Sequence, residues 1–171
     1  VQALVASESL QNDAADRLAY RVLDRDGRVR FTLDAVGGVT ETRYDTAGRV
    51  QQTLAYGVPF ADAPTLVKLR AGIAVVADFT AFVNGNQGAA RASQYVYDAT
   101  GRVAYTLARN DAGQALVSER RYDASGRVIA DVAYAKTIAY VVGQTATQVA
   151  GAMTSAGGDA ANHQRLTRYA Y

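Results

Sequence analysis

Apolar and polar residues alternate along several short segments of the chain. Between positions 28 and 33, Val29, Phe31 and Leu33 alternate with polar residues, which places the two sets on opposite faces of a predicted strand. These segments are rich in β-branched and aromatic residues, which favour strands. Further segments of this kind occur at 39–44, 103–107 and 115–122.

Turn signals separate the predicted strands at intervals of 10–13 residues. Each signal begins with Asp or Asn and has Gly three or four residues later, which is typical of a hairpin turn. The signals lie at 24–27, 34–38, 45–48, 98–101, 110–113 and 123–126. The pattern therefore predicts a mainly β protein in which antiparallel hairpins form one continuous curved sheet.

Four of these turns belong to a repeated motif, Tyr-Asp-x-x-Gly-Arg-Val. Full copies occupy 44–50, 97–103 and 122–128, and a fourth copy at 23–29 has Leu23 in place of Tyr. The Asp side chain can accept a hydrogen bond from a backbone N–H two residues later, and Gly can adopt the left-handed conformation that closes the turn. The predicted structural turn residues are Asp24, Gly27, Arg28, Tyr44, Asp45, Gly48, Arg49, Tyr97, Asp98, Gly101, Arg102, Tyr122, Asp123, Gly126 and Arg127.

A longer repeat of about 74 residues contains the hairpins, because Leu23, Tyr97 and Tyr171 are equally spaced along the chain. We expect a segment of a longer array, with one short helical insert in each unit. The predicted divisions are an insert tail (1–16), a first hairpin unit (17–56), an insert (57–90), a second hairpin unit (91–134), an insert (135–164) and the start of a third unit (165–171).

The inserts contain helix signals. Asp62 followed by Pro64 predicts a helix start, and the helix should continue to about residue 71. The run 73–79 fits either a helix or a strand. A second helix is predicted at 145–155 and a short one near 1–9, whereas 84–88 and 156–162 are predicted loops.

Charge and composition exclude several functional classes. The chain has 18 basic and 16 acidic residues, and its arginines are spread over the hairpins, which argues against nucleic-acid binding. No apolar run is long enough to span a bilayer. Without cysteine there is neither a disulfide nor a thiolate metal site.

The residues do not form a recognisable catalytic pattern. His163 is the single histidine and lies in a polar stretch, and the motif aspartates are explained by their turns. No phosphate-binding loop or nucleophile motif is present, so we predict no enzyme activity, no cofactor and no metal. Two alternatives stay open: the motif tyrosines could stack on sugar rings instead of on neighbouring hairpins, and the motif aspartates could bind calcium if the tips crowd together.

The three full copies of the motif, with their flanks, resemble the YD-repeat or Rhs family over nearly the whole chain. That family includes bacterial Rhs polymorphic toxins, the cocoon-forming subunits of insecticidal toxin complexes, and teneurins. The resemblance implies a sheet that spirals into a hollow shell, in a bacterial secreted or cell-surface protein. The family's closing motif contains Asp-Pro, which is absent here, so its self-cleavage activity is not implied.

The resemblance implies a non-catalytic segment of a shell or extracellular scaffold that encloses a toxin or effector polypeptide. Its partners would be neighbouring repeats of the same array and the enclosed polypeptide. The alternative is a cell-surface module that recognises a glycan or receptor. We also expect the open sheet edges to favour head-to-tail self-association into a fibre-like array.

Overall fold

The strands of this protein lie side by side in the order in which they occur along the chain. A computed structural model describes residues 18–157 and 163–170, and in these residues nine strands form one open antiparallel sheet. This confirms the predicted mainly β meander of hairpins. The strands are β1 (Tyr20–Leu23), β2 (Val29–Leu33), β3 (Val39–Tyr44), β4 (Val50–Ala55), β5 (Arg91–Tyr97), β6 (Val103–Arg109), β7 (Gln114–Tyr122), β8 (Val128–Ala139) and β9 (His163–Arg168).

Because successive strands run in opposite directions, the turns fall alternately at the two ends of the sheet. The four motif turns, at 24–28, 45–49, 98–102 and 123–127, all lie at one end, and we call them the tip row. The turns at 34–38 and 110–114 lie at the opposite end. The segments that connect β4 to β5 and β8 to β9 also leave the sheet at that opposite end.

Each turn of the tip row is followed by a β-bulge. Between β1 and β2, for example, Val22 pairs with Phe31 and Leu23 pairs with Val29, which leaves Arg30 as the extra residue. Sequence alternation predicts that Arg30 and Phe31 lie on opposite faces, and this is wrong for Arg30. Its guanidinium reaches Glu41, which pairs directly with Phe31, because a bulge redirects the side chain. The bulge residues are Arg30, Gln51, Ala104 and Ile129.

Helices of the two connecting segments cover one face of the sheet. Helix α1 (Ala63–Arg70) begins as predicted at Asp62, whose side chain accepts a hydrogen bond from the Thr65 amide. Helix α3 (Ala146–Ser155) begins after Thr145, which forms a reciprocal capping box with Gln148. The helix predicted near 1–9 lies outside the described residues.

Three segments differ from the sequence-based expectation. The predicted loop at 84–88 is wrong at its start, since helix α2 (Thr80–Asn86) includes Gly85 and is closed by a bond from the Asn86 side chain to the Phe82 carbonyl. The ambiguous run 73–79 ends in a short 3₁₀ turn, Val76–Phe79. Strand β8 continues to Ala139, into the segment predicted as insert, because it pairs along the whole of the long strand β7.

The core under the first insert is built on aromatic rings. Phe79 is fully buried and stacks on Phe31 and Phe60, with ring centroids 4.5 and 4.7 Å apart. Helix α2 adds Phe82, whose ring packs against Tyr56 and Phe60. Burial of aromatic rings contributes a large share of core stability, so this cluster fixes the first insert to the sheet.

A second core lies under α3 and contains no phenylalanine. Val149 and Met153 of α3 are buried in the same cluster as Leu107, Val117 and Val132 of the sheet. The small residues of α3 let the helix lie close to the strands. The second insert is therefore held by aliphatic residues and by tyrosines such as Tyr134, without stacked phenylalanine rings.

We expect Phe79→Ala to lower the free energy of unfolding by about 3–5 kcal/mol, because it leaves a cavity between two stacked rings. Urea unfolding followed by circular dichroism measures the change. Val36→Ala is the matched control, since Val36 is 83% exposed and its truncation should change the stability by less than about 0.5 kcal/mol. Equal effects of the two substitutions would show that the first insert is not anchored through Phe79.

Candidate functional site

The tip row is built from four copies of one hydrogen-bonded turn. In the turn that starts at Asp98, Oδ1 accepts bonds from the backbone amides of Thr100 and Arg102, both at 2.9 Å. Oδ2 accepts a bond from Nε of Arg102 at 2.8 Å, so both carboxylate oxygens are occupied. Gly101 has a φ of +84°, a conformation that a side chain would strain. Equivalent bonds are made by Asp24 with Arg28, Asp45 with Arg49, and Asp123 with Arg127.

Each turn is also joined to the next turn in the row. The guanidinium of Arg49 lies 4.2 Å from the ring centroid of Tyr97, and the Tyr97 hydroxyl donates to the Val50 carbonyl at 2.7 Å. A Cβ placed on Gly101 would lie 3.7 Å from Nη1 of Arg49. We call this set of contacts the arginine–tyrosine ladder. It repeats from Arg28 to Tyr44 and Gly48, and from Arg102 to Tyr122 and Gly126.

The structure thus brings all the predicted turn residues into one row and assigns each a contact. The motif tyrosines are half-buried against the preceding hairpin, with an arginine over one ring face, which favours packing over sugar stacking. The motif aspartates bind their own turn amides and arginines. Leu23 replaces Tyr in the first copy, so it can offer neither a hydroxyl nor an aromatic ring, and it is 51% exposed.

The turns hold their carboxylates in the charged form. Partial burial alone would raise the pKa of Asp24, Asp45 and Asp98, but bonds from the amide and guanidinium of the arginine four residues later lower it below the ordinary 3.8. The Thr100 hydroxyl adds to the lowering at Asp98, where the shift is strongest. At Asp123, bonds from the Arg127 amide and guanidinium are the main cause of the lowered pKa.

A second polar centre is buried beneath the first insert. The Glu41 side chain is 1% exposed and accepts four hydrogen bonds: from Arg30 at 2.5 Å, from Arg43 at 2.8 and 3.0 Å, and from the Tyr56 hydroxyl at 2.6 Å. Burial and the Glu41 carboxylate raise the pKa of Tyr56 well above its ordinary value. Charge-assisted bonds of this number stabilise a buried carboxylate.

The second hairpin unit has a related centre around Glu119. Its Oε2 accepts bonds from Arg121 at 2.8 Å and from the Tyr134 hydroxyl at 2.5 Å. Burial and Glu119 raise the pKa of Tyr134 to about 12. Neither centre was predicted from the sequence, although the two units share the residues that form them. The pairs Glu41 and Glu119, Arg43 and Arg121, and Tyr56 and Tyr134 are each 78 residues apart.

The uncovered face of the sheet is lined by short hydroxyl side chains. Cross-strand pairs on this face include Thr32 with Thr40, Thr42 with Thr53, Thr53 with Ser93, and Thr106 with Ser118. A shallow depression of about 460 Å³ lies here, and it includes Tyr95 and the ion pair of Arg120 with Asp131 at 2.9 Å. The described strands therefore present a polar surface opposite the insert helices.

Within residues 18–157 and 163–170, no three His, Asp or Glu side chains come close enough to hold a metal ion. His163 begins β9, but its side chain is not among those described. The described helices are all too short or too polar to cross a bilayer.

No protein-family profile matches this chain, and no curated protein sequence is significantly similar to it.

We expect Gly101→Ala to lower the free energy of unfolding by about 1–2 kcal/mol, because Ala must adopt a left-handed φ beside the Arg49 guanidinium. Chemical denaturation measures the loss. Gly85→Ala is the control with the opposite sign: Gly85 lies inside α2 with open space around it, so Ala should stabilise the helix by about 0.5–1 kcal/mol. A Gly101→Ala protein as stable as the parent would contradict the assigned role of the turn.

We expect stability to fall in acid because the folded-state pKa values of the motif aspartates are lowered. Their contribution is complete well above 3.8 and is lost as the pH falls below 3.8 through the folded-state values. Urea unfolding between about pH 7 and about pH 3 should show this loss. Asp98→Asn should reduce stability at neutral pH and weaken the acid dependence.

Asp111→Asn is the matched control for the acid experiment, because Asp111 is exposed in a turn outside the tip row. It should follow the parent curve across the pH range. If Asp98→Asn showed the same acid dependence as the parent, the carboxylate of Asp98 would not be stabilised as described.

Proposed function

We propose that this chain is a non-catalytic segment of a YD-repeat, or Rhs-type, shell or extracellular scaffold that encloses a polypeptide. The observation that carries the proposal is the arginine–tyrosine ladder. In the first three tips, the arginine contacts the tyrosine and glycine of the next tip. Each hairpin added to the array would therefore supply the partner of the preceding arginine. Such nearest-neighbour coupling is what a long repeat structure requires.

The bulges support a sheet that curves. Four bulges occur at the same position in successive motif hairpins and at the same end of the sheet. A bulge lengthens one strand relative to its partner and increases the local twist. If bulges repeat at the same position in successive hairpins, each adds twist in the same direction, as a spiralling sheet requires. Each unit of about 74 residues would also carry one helical insert.

The two faces of the sheet suit a wall with distinct sides. The insert helices cover one face, and the other carries threonine and serine with few large apolar side chains. An unfolded polypeptide enclosed against such a surface would meet polar groups instead of an adhesive apolar patch. The use of the motif tyrosines within the ladder makes them poor candidates for a glycan site.

The natural gene product that contains this chain provides the test. We expect electron microscopy to show a hollow particle with density inside it. In limited proteolysis, the enclosed polypeptide should stay intact until the protease cleaves the surrounding shell. The double substitution Arg49→Ala with Arg102→Ala should make that polypeptide accessible, because it breaks two links of the ladder. A particle without a cavity would contradict the proposal.

Arg25→Ala is the control for the ladder variant. It removes an exposed arginine from a tip but leaves the bonds between Asp24 and Arg28 in place. Protection equal to that of the parent is expected. If Arg25→Ala exposed the polypeptide as strongly as the ladder variant, the effect would reflect charge alone.

A further inference from the structure

The two hairpin units contain the same buried carboxylate in different surroundings. Glu41 pairs across strands with Phe31, and Glu119 pairs in the same way with Tyr105. Both carboxylates accept bonds from an arginine two residues later and from a tyrosine fifteen residues later. The two centres are therefore structurally equivalent, and the differences between them come from individual side chains.

In the first unit, Arg30 completes the centre. It is the bulge residue of β2, and its Nη2 donates to Oε1 of Glu41 at 2.5 Å. Its Nη1 donates to the Thr42 carbonyl at 3.3 Å, and its guanidinium lies 5.8 Å from the centre of the Phe31 ring. Together with Arg43 and Tyr56, it leaves neither oxygen of Glu41 without a donor.

In the second unit, the corresponding bulge residue is Ala104, which precedes Tyr105 as Arg30 precedes Phe31. Its side chain ends at Cβ and cannot reach the carboxylate. Among the described residues no group donates to Oε1 of Glu119, while Oε2 receives both Arg121 and Tyr134. The Glu119 side chain is 15% exposed, compared with 1% for Glu41.

Arg121 also has fewer side-chain neighbours than Arg43, its equivalent in the first unit. Arg43 pairs across strands with Gln52 and contacts its side chain at 3.4 Å, whereas Arg121 pairs with Ala130. Arg43 also contacts Gln87 of the first insert at 3.3 Å. The described part of the second insert supplies no such contact to Arg121.

We propose that Glu119, Arg121, Tyr134 and Tyr105 form a binding site for a guanidinium group, such as the side chain of an arginine in a partner polypeptide. The guanidinium would donate to Oε1 of Glu119 and lie over the Tyr105 ring, as Arg30 does over Phe31. A planar guanidinium suits both contacts better than an ammonium does. This site is independent of the proposed shell function.

The cationic side chains around the site weaken the affinity expected for a cationic ligand. Arg121 lies beside Glu119, and Arg168 of β9 pairs with Ala130 on the same face of the sheet. In the first unit, two guanidinium groups already share the single carboxylate of Glu41. A second guanidinium at Glu119 would reproduce that arrangement, and because the site is partly exposed, its affinity should be weak.

Nuclear magnetic resonance of the side-chain carboxyl carbons provides a direct test, because the chain contains only three glutamates. We expect acetyl-arginine methylamide to shift the Glu119 signal to saturation and to leave Glu41 unchanged. Acetyl-lysine methylamide should produce a much smaller shift. A titration with free arginine distinguishes two kinds of ligand. Saturation by acetyl-arginine methylamide supports an arginine side chain in a polypeptide, whereas saturation by free arginine alone supports the free amino acid.

Three substitutions make the test specific. Ala104→Arg should abolish the shift by filling the site from within the chain. Glu119→Gln removes the charge, so the ring signals of Tyr105, which respond to the ligand in the parent, should not respond in this variant. Ser118→Arg is the matched control, since it adds the same charge to the neighbouring strand β7 on the uncovered face and should preserve the shift. An unchanged response in Ala104→Arg, or no response of Glu119 in the parent protein, would overturn the proposal.

The first unit provides the reciprocal experiment. Arg30→Ala should open the Glu41 centre, so that acetyl-arginine methylamide now shifts two glutamate signals instead of one. A folded Arg30→Ala protein in which Glu41 stays unresponsive would count against the equivalence on which the site depends. If that variant does not fold, the comparison of the parent with Ala104→Arg still decides the question.

Discussion

The contact between each motif arginine and the next hairpin is the interaction on which this structure depends. Main-chain hydrogen bonds join neighbouring strands in any sheet, but they do not by themselves fix the register. The buried pattern and the turns set the register within each hairpin. The arginine adds a constraint between hairpins, because one guanidinium is held by its own turn aspartate and lies against the tyrosine and glycine of the next turn. A shift by one residue would break the turn-to-turn contacts while leaving most backbone pairing possible. The motif therefore specifies register as well as turn shape.

The sequence was sufficient to predict the meander and the position of the motif turns, because Asp and Gly determine a turn locally. It also predicted the start of α1 from the local cap at Asp62 and placed α3 within 145–155, whereas the cap at Thr145 was not predicted. The partner of each arginine could not be predicted in this way. Arg49 and Tyr97 are separated by an entire insert, and their contact depends on β4 pairing with β5.

The incorrect predictions also concern features that depend on contacts between residues far apart in the sequence. Alternation placed Arg30 on the wrong face because a bulge adds one residue, and the bulge is visible only in the pairing with β1. The predicted loop at 84–88 relied on the glycines, whereas packing of Phe82 against Tyr56 and Phe60 favours a helix there. The Glu41 centre was missed because its members come from two strands, β2 and β3, and from Tyr56 in the segment that follows β4.

The odd number of strands in the described sheet restricts the symmetry of any contact between its edges. Since β1 and β9 run in the same direction, a second copy placed head-to-tail, with its helices on the same face, would pair two parallel strands. Antiparallel pairing with the helices on one face instead requires a two-fold axis and joins like edges, β1 to β1 or β9 to β9. Such a contact is isologous and closes as a dimer. Growth into a filament would require either parallel pairing or helices that alternate between the faces.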